Sequence, residues 1–125
     1  MSGEPAFLPL PIDADEGFPQ AFLLAFLGAT YVLSFYVNIA EGTAPDAQGF
    51  YELPGERAFM VLTVARQSVD GPVILTRRKL VKQQVVEAGE LLLRFTAMKV
   101  ARLNLNGVGP HGSVVKGEVA PRWAS

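Results

Sequence analysis

The chain has 125 residues, enough for one domain that buries a core without covalent staples. Half of them are hydrophobic, 18% are charged, the net charge is −1 and cysteine is absent. This balance excludes a disulfide framework and thiolate metal sites, and it provides no strong global attraction to nucleic acid or acidic lipid. So apolar a chain has more hydrophobic surface than a small interior can hold, which points to a surface facing a partner.

Residues 1–19 read as an extended, proline-rich arm. Pro5, Pro9, Pro11 and Pro19 each remove a backbone donor and oppose helix. Phe7, Leu8, Leu10 and Ile12 alternate with them, so the arm is expected to lie on its own sheet or on a neighbour's. Residues 1–13 carry neither the basic region nor the small-residue cleavage site of a secretory signal, and the expectation is assembly in the cytoplasm. Asp13, Asp15 and Glu16 then open a turn. They lack the spacing and glycine of a calcium loop and read as a solvated acidic turn.

Residues 21–40, AFLLAFLGATYVLSFYVNIA, contain no charge and admit two readings. The length suits a membrane-spanning helix. The flanks do not, because Asp13, Asp15 and Glu16 precede the run, Glu41 and Asp46 follow it, and the next basic residue is Arg57. Composition favours a β-hairpin. Residues 30–39 are rich in aromatic and β-branched side chains, with Tyr31, Leu33, Phe35, Val37 and Ile39 on one face and a more polar set on the other. Gly28 supplies the positive φ that a tight reversal needs.

After a loop of turn formers at 41–49, residues 50–53 read as a short strand and 57–66 as a clear apolar one. Asp70-Gly71 marks a hairpin turn into a returning strand at 73–76. Residues 91–95 fit either a strand or a helical turn. Residues 99–105, KVARLNL, alternate with Ala101, Leu103 and Leu105 on one face and Val100, Arg102 and Asn104 on the other. Asn106-Gly107 and Gly109-Pro110-His111-Gly112 signal a turn before a last strand at 113–119. The expected fold is all-β: a small barrel or sandwich of about seven short, mostly antiparallel strands. One β-domain is expected over 1–125, with the arm at 1–19, the β core at 20–119 and a tail at 120–125 carrying Trp123.

Chemistry is sparse. His111 is the sole histidine, set among turn formers with no second ligand for a metal, and reads as a solvated turn residue. No serine has nucleophile-elbow context, and Gly107-Val108-Gly109 precedes no helix that could cradle phosphate. The expectation is a protein that is not an enzyme and uses no cofactor or metal. Arg77, Arg78, Lys79 and Lys82 form one basic cluster. It suits contact with an acidic partner or nucleic acid, or an edge strand guarded by charge. A basic footprint across the whole domain is missing, which favours the edge or partner reading.

The order of elements resembles the baseplate plug proteins of contractile-tailed phages, first named from cyanophages. The features that carry the likeness are an opening FLPLPID arm, the hairpin AFLLAFLGATYVLSFYVN with its Tyr-x-Leu-x-Phe strand, the strand RAFMVLTV, the run VILTRRKLVKQQVV and a closing RLNLNGV strand. The 41–49 loop and the stretch after Val86 are expanded relative to that pattern. The resemblance implies a structural virion protein at the tail tip, docked to baseplate hub and tail-tube proteins, and a homo-oligomer of threefold symmetry. Phe7, Leu8, Leu10, Arg77, Arg78, Lys79, Lys82 and Trp123 are the expected interface residues. The competing classes are a small membrane protein spanning at 21–40 and a small-barrel nucleic-acid binder using residues 77–82.

Overall fold

The computed structural model describes residues 6–122. In chain order its strands are β1 (Leu8–Pro9), β2 (Gln20–Phe26), β3 (Ala29–Ile39), β4 (Phe50–Glu52), β5 (Ala58–Arg66), β6 (Val73–Lys79), β7 (Val85–Ala88), β8 (Leu91–Ala101) and β9 (Val114–Pro121). Two three-residue 3-10 turns, Ala14–Glu16 and Arg102–Asn104, complete the regular structure.

The alternation in β3 sets the geometry of the first sheet. Tyr31, Leu33 and Phe35 are 0–1% exposed, so the face expected to be apolar is the buried one. β2 folds back on β3 through Leu27-Gly28, with Phe26 paired to Ala29. Both turn residues have positive φ, 55° and 78°, as a two-residue turn with the right twist requires. β5 pairs with the far side of β3, and β6 with β5, giving an antiparallel sheet in the order β2-β3-β5-β6.

The second sheet runs β1-β9-β8-β4, with β7 and β4 sharing the outer side of β8. β8 keeps its apolar side chains inward along eleven residues by means of one bulge. Phe95 pairs with Gly117 and Ala97 with Lys116, leaving Thr96 as the extra residue. Leu91, Leu93 and Phe95 point inward before it, Met98 and Val100 after it, all at most 1% exposed. Without the bulge, the strict two-residue period would turn the second pair to solvent. Gly117 is required opposite Phe95, because a Cβ there would stand 2.5 Å from the ring.

The two sheets bury one continuous core between them, to which β3, β5, β8, β7 and β9 all contribute. The architecture is therefore an all-β sandwich of two separate antiparallel sheets. Nine strands replace the expected seven among the described residues: the pair Leu8–Pro9 is too short to show a period, and the four residues 85–88 are wedged between the basic stretch and the turn formers around Gly89.

Other boundaries differ. Residues 21–40 fall on β2 and β3, so that stretch is not a spanning helix; among the described residues no helix is long and apolar enough to cross a membrane. β6 extends past Thr76 to Lys79 and takes three of the four clustered cations into a strand. β9 runs to Pro121, so Ala120 and Pro121 belong to the sheet and not to a tail. The strand expected at 99–105 ends at Ala101. Asn104 is fully buried and Leu103 is 65% exposed, the reverse of what its apolar side chain suggests. The cause is the side-chain amide, which finds three partners inside the turn.

Candidate interaction surfaces

The outer face of the β2-β3-β5-β6 sheet carries exposed apolar side chains. Register places Leu23 beside Val32, Val32 beside Ala65, and Ala65 beside Ile74. This makes one apolar row crossing all four strands, and Leu23 and Ile74 at its two ends are each 64% exposed. Tyr36 and Phe59 continue the apolar character toward the other end of the same face, with Val61 covered between the strands.

The four clustered cations do not act together. Arg77 and Lys79 pair with Thr63 and Val61 and lie on the outer face; Arg78 pairs with Leu62 and lies on the opposite one. The Lys79 ammonium stands 5.0 Å above the Phe59 ring. Lys82 is beyond the strand and forms an ion pair with Glu52 at 3.0 Å. β6 is an edge of its sheet, so Arg77, Arg78 and Lys79 are charges on an open strand edge, where they oppose pairing with another sheet.

Of the stretch expected as an arm, residues 8–10 lie on the protein's own second sheet, while residues 1–5 lie outside the described residues. Leu8 and Pro9 pair with Val119 and Glu118, and the Leu10 amide donates to the Gly117 carbonyl at 2.9 Å. Leu10, expected at an interface, is 8% exposed and part of the core, so it is not free to anchor a partner. Phe7 lies 4.3 Å from the Arg94 guanidinium, itself paired to Glu118 at 2.6 Å. Leu8 is exposed. Trp123 lies outside the described residues. Asp13 caps the first 3-10 turn by accepting from the Asp15 amide at 3.1 Å, a local structural role. An open groove of about 480 Å³ runs beside β9, lined by Leu10, Ile12, Asp13, Asp15 and Lys116. His111 is half-buried in the loop before β9, its ring close against Gly109.

A polar cluster that sequence reasoning missed closes one end of the sandwich. Tyr31 on β3 and Arg66 on β5 are cross-strand partners, and Glu90 reaches them from the β7–β8 turn of the other sheet. The Tyr31 hydroxyl donates to Glu90 Oε2, while Arg66 Nη1 donates to both carboxylate oxygens at 2.7 and 3.0 Å. The carboxylate is engaged by both donors, so the group ties the two sheets together. No local motif could have revealed it, because Glu90 is 59 residues from Tyr31 and 24 from Arg66.

Burial, and then the hydrogen bond to Glu90, push Tyr31 up from 10.0 to about 12. The Tyr31 hydrogen bond holds Glu90 below the usual carboxylate range, against the opposing effect of burial. The signs follow from linkage. The folded state retains the tyrosine proton longer than the unfolded chain, so this stabilisation is complete below pH 10 and lost as pH rises toward about 12. Glu90 behaves conversely: its contribution is present above the ordinary carboxylate range and disappears in acid. In denaturant titrations across the alkaline window, Tyr31→Phe is expected to show a shallower fall in stability than the wild type. Equal slopes would mean that Tyr31 does not keep its proton in the fold.

Comparison of the chain with family models, with curated proteins and with solved structures returned no match.

Proposed function

We propose that the chain is a structural subunit of a contractile phage tail, occupying a plug position in the baseplate and docking to hub and tail-tube proteins. Its work is shape and contact, with no covalent chemistry, no cofactor and no nucleic-acid partner. The resemblance in element order suggests the setting. The observation that supports it most is the apolar row Leu23–Val32–Ala65–Ile74 on the outer face of one sheet. Apolar rows of this kind mark protein contacts, and Arg77 and Lys79 at its margin add charges for a partner's acidic side chains. The sandwich beneath is a rigid backing for such a face. Phe7 and Leu8 on the opposite sheet belong to a second contact in this reading.

The test is co-expression with the tail-tip proteins of the encoding phage, joined to mass spectrometry of purified tails. The chain is expected in the tails and in a complex with the hub, and Ile74→Lys is expected to abolish hub binding with an unchanged circular dichroism spectrum. Absence of the chain from purified particles would overturn the reading.

A further inference from the structure

We propose that β2 is a self-association edge: two copies join through it, antiparallel about a twofold axis at Leu23, into a continuous eight-stranded sheet. The inference does not rest on the phage reading. β2 is an edge strand, hydrogen-bonded to β3 on one side only. The Thr30 carbonyl accepts from Gln67, which places Thr30, Val32 and Ser34 in the ladder toward β5. Tyr31, Leu33 and Phe35 then bond toward β2, and by alternation Ala21, Leu23 and Ala25 turn their N–H and C=O groups to the open side.

This edge has none of the devices that keep strand edges apart. No residue from Phe18 to Ala40 is charged, and β2 contains neither proline nor bulge. The other edge of the same sheet carries Arg77, Arg78 and Lys79 within three residues. In the second sheet β1 contains Pro9, which has no N–H to offer. One molecule thus guards one edge of its first sheet and leaves the other open.

The occupant is a second copy because the open edge is its own complement. Its outward groups belong to Ala21, Leu23 and Ala25, an order that reads the same in both directions. A twofold axis at Leu23 pairs Ala21 of each copy with Ala25 of the other, and Leu23 with Leu23, each pair exchanging N–H···O bonds both ways. Pro19 and the turn at Leu27 stop the pairing on either side. The same contact covers both faces of β2. On the outer face the two Leu23 side chains, 64% exposed in one copy, meet over flanking alanines. On the inner face half-buried Phe22 and Leu24 approach their counterparts at the sandwich margin. The charged β6 edge ends growth at two copies, in place of the threefold ring that the resemblance implies.

The full chain, purified alone, is expected to have twice the chain mass by light scattering. Leu23→Lys places two ammonium groups against each other at the axis and is expected to halve that mass with an unchanged β spectrum. Leu23→Cys introduces the sole thiol of a cysteine-free chain. Directly paired residues stand about 5.5 Å apart at Cα, within disulfide reach. Mild oxidation or a short bis-maleimide is therefore expected to give a covalent dimer on a denaturing gel, while Ile74→Cys on the guarded edge gives none. A monomeric or trimeric wild type, a dimer that survives Leu23→Lys, or cross-linking equal at both positions would overturn the proposal. Since Ile74→Lys tests hub binding and Leu23→Lys tests pairing, failure of one leaves the other standing.

Discussion

Phe35→Ala is expected to lower the stability of the fold by about 3–5 kcal/mol, the range for deleting a large buried aromatic side chain. Phe35 is 1% exposed and is the point at which the two sheets touch through aromatic rings. It stacks on Phe22 of β2 at 5.8 Å and meets Phe95 of β8 edge-on at 5.7 Å. Truncation therefore opens a cavity between the Phe22 and Phe95 rings. Denaturant unfolding measures the effect, with the slope expected to stay constant and the midpoint to fall. Phe22→Ala is expected to cost less, because Phe22 is half-buried. Phe35→Ala and Phe95→Ala combined are expected to cost less than their sum, because they share one contact. A loss below about 1 kcal/mol for Phe35→Ala would mean that the sheets do not pack at this point.

Phe35 was legible from sequence, and the reason is instructive. In β3 the two-residue period runs for ten residues without interruption, so which side faced the core could be read before anything was known of its neighbours. The same strand settled the uncharged stretch at 21–40 against a helix. Where the period breaks, the reading failed or stalled. Residues 91–95 fit either a strand or a helical turn because Leu92 adds an apolar side chain out of phase with Leu91, Leu93 and Phe95, and Thr96 then shifts the phase before Met98. A bulge of this kind exists only in relation to the partner strand, here β9, and leaves no local mark. The returning strand is expected only over 73–76, because the apolar side chains stop at Thr76, although the cations after it also fit a charged edge strand. On an edge strand, solvated side chains and strand backbone coexist.

The surfaces were less legible than the fold. The basic cluster was visible as four nearby cations, but strand alternation sends Arg78 to the other face, and Glu52 captures Lys82 from 30 residues away. The apolar row across the first sheet takes one residue from each of four strands, so no window of sequence contains it. Leu10 was expected at an interface and lies in the core, because an apolar arm is satisfied first by the nearest open edge, and β9 provides one.

The residue whose role ran most against its appearance is Asn104, and its replacement carries the second large expected effect. Asn104→Leu is expected to cost about 3 kcal/mol or more and to loosen residues 102–113. The side chain is fully buried in the connection from β8 to β9. Its Nδ2 donates to the Gly107 and Gly109 carbonyls at 3.2 and 3.1 Å, and its Oδ1 accepts from Ser113 Oγ at 2.6 Å. Ser113 Oγ in turn accepts from the Ala101 amide at 2.7 Å, where β8 ends. One buried amide thus ties together two carbonyls of the turn and the hydroxyl that ends β8. Leucine keeps the volume and removes all three bonds, so the loss reports unsatisfied polar groups and not a cavity. The effect should extend to Phe18, whose amide donates to the Asn104 carbonyl and whose carbonyl accepts from Asn106, so that the arm is held through the same turn. Hydrogen exchange resolves this outcome: amides of 102–113 and Phe18 are expected to lose protection while β3 and β5 keep theirs. Uniform loss over all strands would show that the turn is part of the global folding unit and not a locally closed element.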